Sequence, residues 1–163
     1  DDVAKILKED TTIVTIAAAA DKLDDDDNNV RIVAPGDELV VKGVRVDAVP
    51  AYNVNKFRRP GEPFHPRESG YVGFVITVNE QRIYHAGDAD HIPEMAELGE
   101  IDIALLPVSG AYVMTVDEAV EAAQTIQPGL AIPMHVGRGI GSLADANAFK
   151  DKAPVEVVVL EMA

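Results

Sequence analysis

Apolar and polar positions follow one rhythm in the first half of the chain and another in the second. Residues 1–10 (DDVAKILKED) put Val3, Ile6 and Leu7 on one helical face, with Asp1 or Asp2 near the N-terminal end. TTIVTIA (11–17) is β-branched and predicts a strand, and AAADKL (18–23) predicts a helix. Asp24 to Asp27 with Asn28 and Asn29 read as a solvated turn. The run lacks the alternating oxygen ligands and central glycine of a calcium-binding loop. VRIVAP (30–35), ELVV (38–41) and VRVDAV (44–49) predict short strands, with Lys42-Gly43 as the turn between the last two. Residues 53–70 carry three prolines and two glycines and read as a long irregular loop, a kind that often carries function. YVGFVITV (71–78) and RIYHAG (82–87) predict a second hairpin about Asn79-Glu80.

Beyond residue 90 the pattern alternates. A helix over 92–98 leads to the strand IDIALLPV (101–108), a helix over 115–126 to LAIPM (130–134), and a helix over 143–151 to VEVVVL (155–160). These near-continuous apolar strands resemble those buried on both faces. With no internal repeat and no linker, the whole of 1–163 reads as one mixed α/β domain.

Composition narrows the partners. The 163 residues hold 14 Lys plus Arg and 28 Asp plus Glu, so 14 − 28 gives a net charge of −14, which repels phosphate backbones and argues against nucleic acid. Hydrophobic residues make up 47%, enough for a folded core. No apolar run approaches the ~20 residues of a membrane span, and nothing at the start resembles a secretory leader, so no membrane partner and a cytoplasmic location are expected. With no cysteine, disulfides and thiolate metal sites are excluded, and any metal falls to His, Asp and Glu.

The four histidines are His65, His85, His91 and His135. His85-Ala-Gly-Asp88-Ala-Asp90-His91 packs four potential ligands at a strand end, where Gly87 permits a sharp turn. Asp90 suits the N-cap of the helix near Ile92, which leaves Asp88 for another task. His135 ends the strand LAIPM; a structural role competes with a catalytic one. Imidazole and carboxylate together suit zinc, manganese or iron. The loop KFRRPGEPFHPR (56–67) has four basic residues against one acid, whereas 83–137 has nine acids and no Lys or Arg. Two readings stand: ion pairing between these regions, or a clamp in which Arg58, Arg59 or Arg67 holds the phosphate or carboxylate of a small anionic substrate. Gly137 to Ser142 offers a weaker anion nest before a helix. Ser109-Gly110 lacks the surroundings of a nucleophile elbow.

VPAYNVNKF (49–57), FHP (64–66), GYVGFVITV (70–78), RIYHAGDAD (82–90), DIALLPVSGAYVMTVDEAVEAA (102–123) and AIPMH (131–135) together resemble the metallo-β-lactamase superfamily. The likeness is to its prokaryotic metal-dependent hydrolases, similar to ascorbate-phosphate lactonase. It implies an α/β fold, an αββα sandwich with metals at one edge of two facing sheets, here N-terminally truncated. It implies that Asp88 bridges two ions, Zn2+ or else Mn2+/Fe2+, and that His135 is the final histidine ligand. Both are then the catalytic residues, with His65, His85 and His91 as lesser metal candidates. It implies attack by a metal-bound hydroxide on an ester, lactone or phosphodiester. The family's HxHxDH motif is absent from this sequence, so the chain is expected to start just after it and to be impaired alone. Asn53 lies near the place of the family's intermediate metal histidine, with His65 as a substitute, and Asn53 is also grouped with the arginines as a substrate contact. The alternative is a metal-free, inactive binding or structural module. Exposed strand edges predict a homo-oligomer, a dimer first.

Overall fold

The computed structural model describes residues 2–23, 29–137 and 139–161. Residues 24–28 of the acidic turn expected over 24–29, a cap at Asp1, and Arg138 of the glycine-rich loop lie outside the described residues.

The chain opens with α1 (Asp2–Ile6), shorter than the helix expected over 1–10. The Thr11 hydroxyl accepts from the Lys8 N–H at 2.9 Å and turns the chain out of the helix. Strand β1 (Ile13–Thr15), helix α2 (Ala17–Ala20) and strand β2 (Val30–Ile32) follow, and β1 pairs with β2 in parallel. The other strands are β3 (Glu38–Val41), β4 (Val44–Pro50), β5 (Phe57–Arg59), β6 (Glu62–Pro63), β7 (Val72–Val78), β8 (Gln81–His85), β9 (Ile103–Pro107) and β10 (Leu130–Met134). Helices α3 (Val116–Ile126) and α4 (Leu143–Lys152) complete the fold.

Six strands form the main sheet in the order β10-β9-β8-β7-β4-β3. The β3–β4, β4–β7 and β7–β8 pairs are antiparallel, and β8–β9 and β9–β10 are parallel. The hairpin turns sit where the sequence puts them: Lys42 and Gly43, then Asn79 and Glu80, all have positive φ, as the twist-matched two-residue turn requires. Helices α3 and α4 lie against β9 and β10, and their Ala119, Ala122, Ala123, Ala146 and Phe149 are buried. Tyr84, Leu106, Val75, Ile92 and Met95 fill the core beneath them. Near the other face, Val14 and Ile16 line a cleft with Val72 and Phe74. Among the described residues no helix is long and apolar enough to cross a membrane.

Four expectations need correction. The apolar strands are not buried on both faces: in β9, Ala104 and Leu106 are buried while Ile103 and Leu105 are only half-buried. Helices cover one side, and the side chains of a strand alternate between faces. The loop 53–70 contains the short β5–β6 hairpin and a 3₁₀ turn, Arg67–Ser69. The helix expected at 92–98 is a 3₁₀ segment, Pro93–Glu97. The strand expected at 155–160 reduces to one bridge, Val157 beside Ala131.

Candidate metal centre

The site forms where strand ends meet the loop 53–66. After β8, the Ala86 N–H still bonds the Leu105 carbonyl at 3.1 Å, and then the chain breaks away. Gly87 makes the break with φ +65, where a side chain would press on the Val72 carbonyl at 3.2 Å. Asp88 therefore projects from the strand end with half its side chain exposed. His135 leaves β10 with φ +62, a left-handed conformation uncommon for a residue with a Cβ and one that concentrates at functional sites. Gly141 packs against it so closely that a Cβ there would lie 2.5 Å from the His135 carbonyl oxygen and 2.9 Å from Ser109 Cβ. Ser109, just past the end of β9, meets His135 Nδ1 at 2.9 Å.

The structure brings Asp88, His65 and His135 together. His65 Nε2 is 3.5 Å from Asp88 Oδ2, and His135 Nε2 is 3.8 Å from Asp88 Oδ1. Each carboxylate oxygen thus has its own imidazole. Both separations exceed a hydrogen bond. Two donors each about 2.1 Å from one tetrahedral ion stand about 3.4 Å apart, so the spacing suits a divalent cation between carboxylate and imidazole. Neutral imidazole and carboxylate are the right donors for it. Among the described residues no three His, Asp or Glu side chains close around a single point.

Asn53 and Asp90 support His65 from behind. The backbones of Asn53 and His65 pair, Asn53 N–H donating to the His65 carbonyl at 2.8 Å. Asn53 Oδ1 accepts from the His65 N–H at 2.8 Å and lies 2.9 Å from His65 Nδ1. Asn53 Nδ2 donates to the Tyr112 carbonyl at 2.9 Å and to Asp90 Oδ1 at 3.2 Å. Asn53, grouped above with the substrate contacts, is thus buried with both amide atoms committed inside the protein. Asp90 is only 1% exposed and does not cap the segment after Ile92. It accepts from the N–H groups of Val54 at 2.7 Å and Asn55 at 3.0 Å, because the loop 53–55 needs those donors satisfied where it folds over the strand end. Lys56 Nζ lies 3.5 Å from Asp90 and 2.6 Å from Glu118. Glu118 also closes a capping box with Thr115 at the start of α3. Burial raises the Glu118 carboxyl, and the hydrogen bonds from Lys56, Asn55 and Thr115 outweigh that and bring it down to about 2.

The other candidates make contacts of their own. His91 Nε2 meets Thr125 Oγ1 at 2.9 Å and Nδ1 lies 3.6 Å from Glu121, so the ring is turned onto α3. His85 accepts from the Gly87 N–H at 3.1 Å through Nδ1. Desolvation holds its ring below the ordinary histidine value, against the opposing pull of the Asp88 charge. Arg67 pairs with Glu94 at 2.6 Å and lies over the Tyr52 ring, and Arg59 pairs with Glu62 in its own hairpin. Ion pairing thus accounts for Lys56, Arg59 and Arg67. Arg58 lies over the Phe64 ring at 5.6 Å, is exposed, and has no carboxylate partner among the described residues. Sequence reasoning missed Ser109 as the partner of His135 and Asp90 as the anchor of the loop. The position of Ser109 at the end of the strand next to β10 was the available signal for the first.

The model for the beta-lactamase superfamily domain matches residues 3–135. The chain belongs to that family. Among relatives of this beta-lactamase superfamily domain, the UPF0173 metal-dependent hydrolase of Thermoplasma acidophilum is 35% identical over 156 residues, 92% of this chain and 66% of the relative. The corresponding protein of Methanopyrus kandleri is 33% identical over 82% of this chain and 60% of its own length. The chain spans about two thirds or less of the curated relatives it matches. A solved structure described as a metal-dependent hydrolase, from Parabacteroides distasonis, superposes with TM-score 0.80 at 33% identity, over 99% of this chain and 69% of that one. A structure from Thermotoga maritima, described as a Zn-dependent hydrolase of the metallo-beta-lactamase superfamily, superposes with TM-score 0.62 at 25% identity, over 83% of this chain and 74% of that one.

Proposed function

We propose that this chain carries part of the metal centre of a metal-dependent hydrolase that acts on an ester, lactone or phosphodiester of a small anionic substrate. One observation carries the reading: Asp88 offers each of its oxygens to a different imidazole, His65 on one side and His135 on the other. Asp88, His65 and His135 would hold the metal, zinc or else manganese or iron. A bound divalent ion supplies Lewis-acid activation of water and of the scissile group. The relatives named metal-dependent hydrolases support the same class. Arg58, within the loop that carries His65, would take the substrate's anionic group, since it is exposed and held by a ring rather than a carboxylate. Ser109 orients His135, and Asn53 orients His65.

The second reading is a binding module without metal. It is favoured by the lack, among the described residues, of three donors around one point. A screen of ester, lactone and phosphodiester substrates with added zinc, manganese or iron separates the two. Metal-dependent turnover that Asp88→Asn abolishes supports the hydrolase, and a chain that takes up no metal and turns over none of the three classes supports the module.

A further inference from the structure

We propose that Asn53, itself oriented by Asp90, fixes His65 in the tautomer with its proton on Nδ1, leaving Nε2 as a bare lone pair facing Asp88. The inference rests on the metal-centre reading for its purpose, but its content is the location of one proton.

One end of the Asn53 amide meets the Tyr112 carbonyl at 2.9 Å and Asp90 Oδ1 at 3.2 Å. A carbonyl and a carboxylate only accept, so that end is the NH2 group. The other end is then the oxygen, and the His65 backbone N–H, which only donates, meets it at 2.8 Å. An amide oxygen has no proton to give. His65 Nδ1, 2.9 Å from the same oxygen, must therefore supply the hydrogen. A neutral imidazole has one such proton, so Nε2 has none. Nε2 is the nitrogen that looks at Asp88 Oδ2 across 3.5 Å. Asp90 cannot turn away, because the Val54 and Asn55 N–H groups fix its second oxygen. Asn53 is thus a positioning residue that acts through His65, in the way that partners behind a ligating histidine orient it.

His135 is an internal control. Its Nδ1 meets the Ser109 hydroxyl, which both donates and accepts, so that contact fixes no tautomer.

The test is long-range proton–nitrogen NMR of the 15N-labelled, metal-free chain at a pH of about 8, where an ordinary histidine is neutral. The expected result is a single Nδ1–H tautomer for His65 in the unaltered protein, replaced by a mixture in Asn53→Ala. Zinc affinity, read by competition with a coloured chelator, falls ten- to a hundredfold in Asn53→Ala. An Nε2–H form or a tautomer mixture for His65 in the unaltered chain overturns the proposal, and that spectrum needs no variant to fold. Unchanged zinc affinity once the tautomer is lost overturns the positioning role. A locked Nδ1–H tautomer in a chain that binds no zinc upholds the lock and defeats the metal reading instead.

Discussion

His135 Nε2 stands 3.8 Å from Asp88 Oδ1, although the two residues leave strands β10 and β8, which have β9 between them. The parallel register makes this possible. Strands β8, β9 and β10 run the same way, so their carboxyl ends open onto one edge, the place where such sheets gather ligands. His135 reaches the edge only through its left-handed backbone, which costs an ordinary residue about 1–2 kcal/mol. Replacing it with glycine relieves that conformation, whereas alanine keeps it. Urea denaturation should find His135→Gly more stable than His135→Ala by about 1 kcal/mol. Alanine equal to or better than glycine would show that the backbone is not under this constraint.

Asp90 holds the loop that presents His65. Its removal leaves the Val54 and Asn55 N–H groups without their acceptor in a part-buried place and takes one carboxylate from Lys56. Asp90→Ala should therefore lower stability by about 3 kcal/mol, measured by urea denaturation. A loss below about 1 kcal/mol would mean that the loop finds its hydrogen bonds elsewhere.

Acid should loosen the same region. Glu118 has its folded value lowered to about 2 from an ordinary 4.5. The unfolded chain therefore binds this proton more readily than the folded one. Its contribution is complete above about pH 4.5 and is lost as pH falls toward about 2. Stability measured across that window should decline more steeply in the unaltered chain than in Glu118→Gln. Identical slopes would assign the acid sensitivity to other carboxylates.

The helix-strand alternation from β9 to α4, both hairpin turns and the starts of α3 and α4 were legible in the sequence. Each rests on local chemistry: a capping Thr115 or Ser142 with its acid three residues on, or a turn residue that tolerates positive φ. The places of Asp88 and His135 just beyond the ends of β8 and β10 were legible for a related reason, while their role at a metal stays a proposal. The partnership of Asn53, His65 and Asp90 was not. It joins three stretches through side-chain geometry, and no period or spacing records it. The basic loop was legible as a charge pattern, but the sequence left open whether its arginines were paired, which the positions of Glu94 and Glu62 decide for Arg67 and Arg59.

The arginines yield a prediction on the proposed substrate. Arg58→Ala should raise KM about tenfold for an anionic ester, about 1.4 kcal/mol of ground-state binding, and leave kcat nearly unchanged. Arg59→Ala should leave KM unaltered, since Glu62 already occupies that side chain. Steady-state kinetics on anionic and neutral substrates of one size would check both, and equal effects on the two substrates would remove Arg58 from anion recognition.

The central claim is that Asp88 joins His65 and His135 around divalent metal. Equilibrium dialysis against zinc, followed by elemental analysis, tests it most directly on the unaltered chain and on Asp88→Ala. The account predicts bound zinc in the first and a loss of affinity of about a hundredfold or more in the second. Equal zinc content and affinity in the two proteins would contradict it.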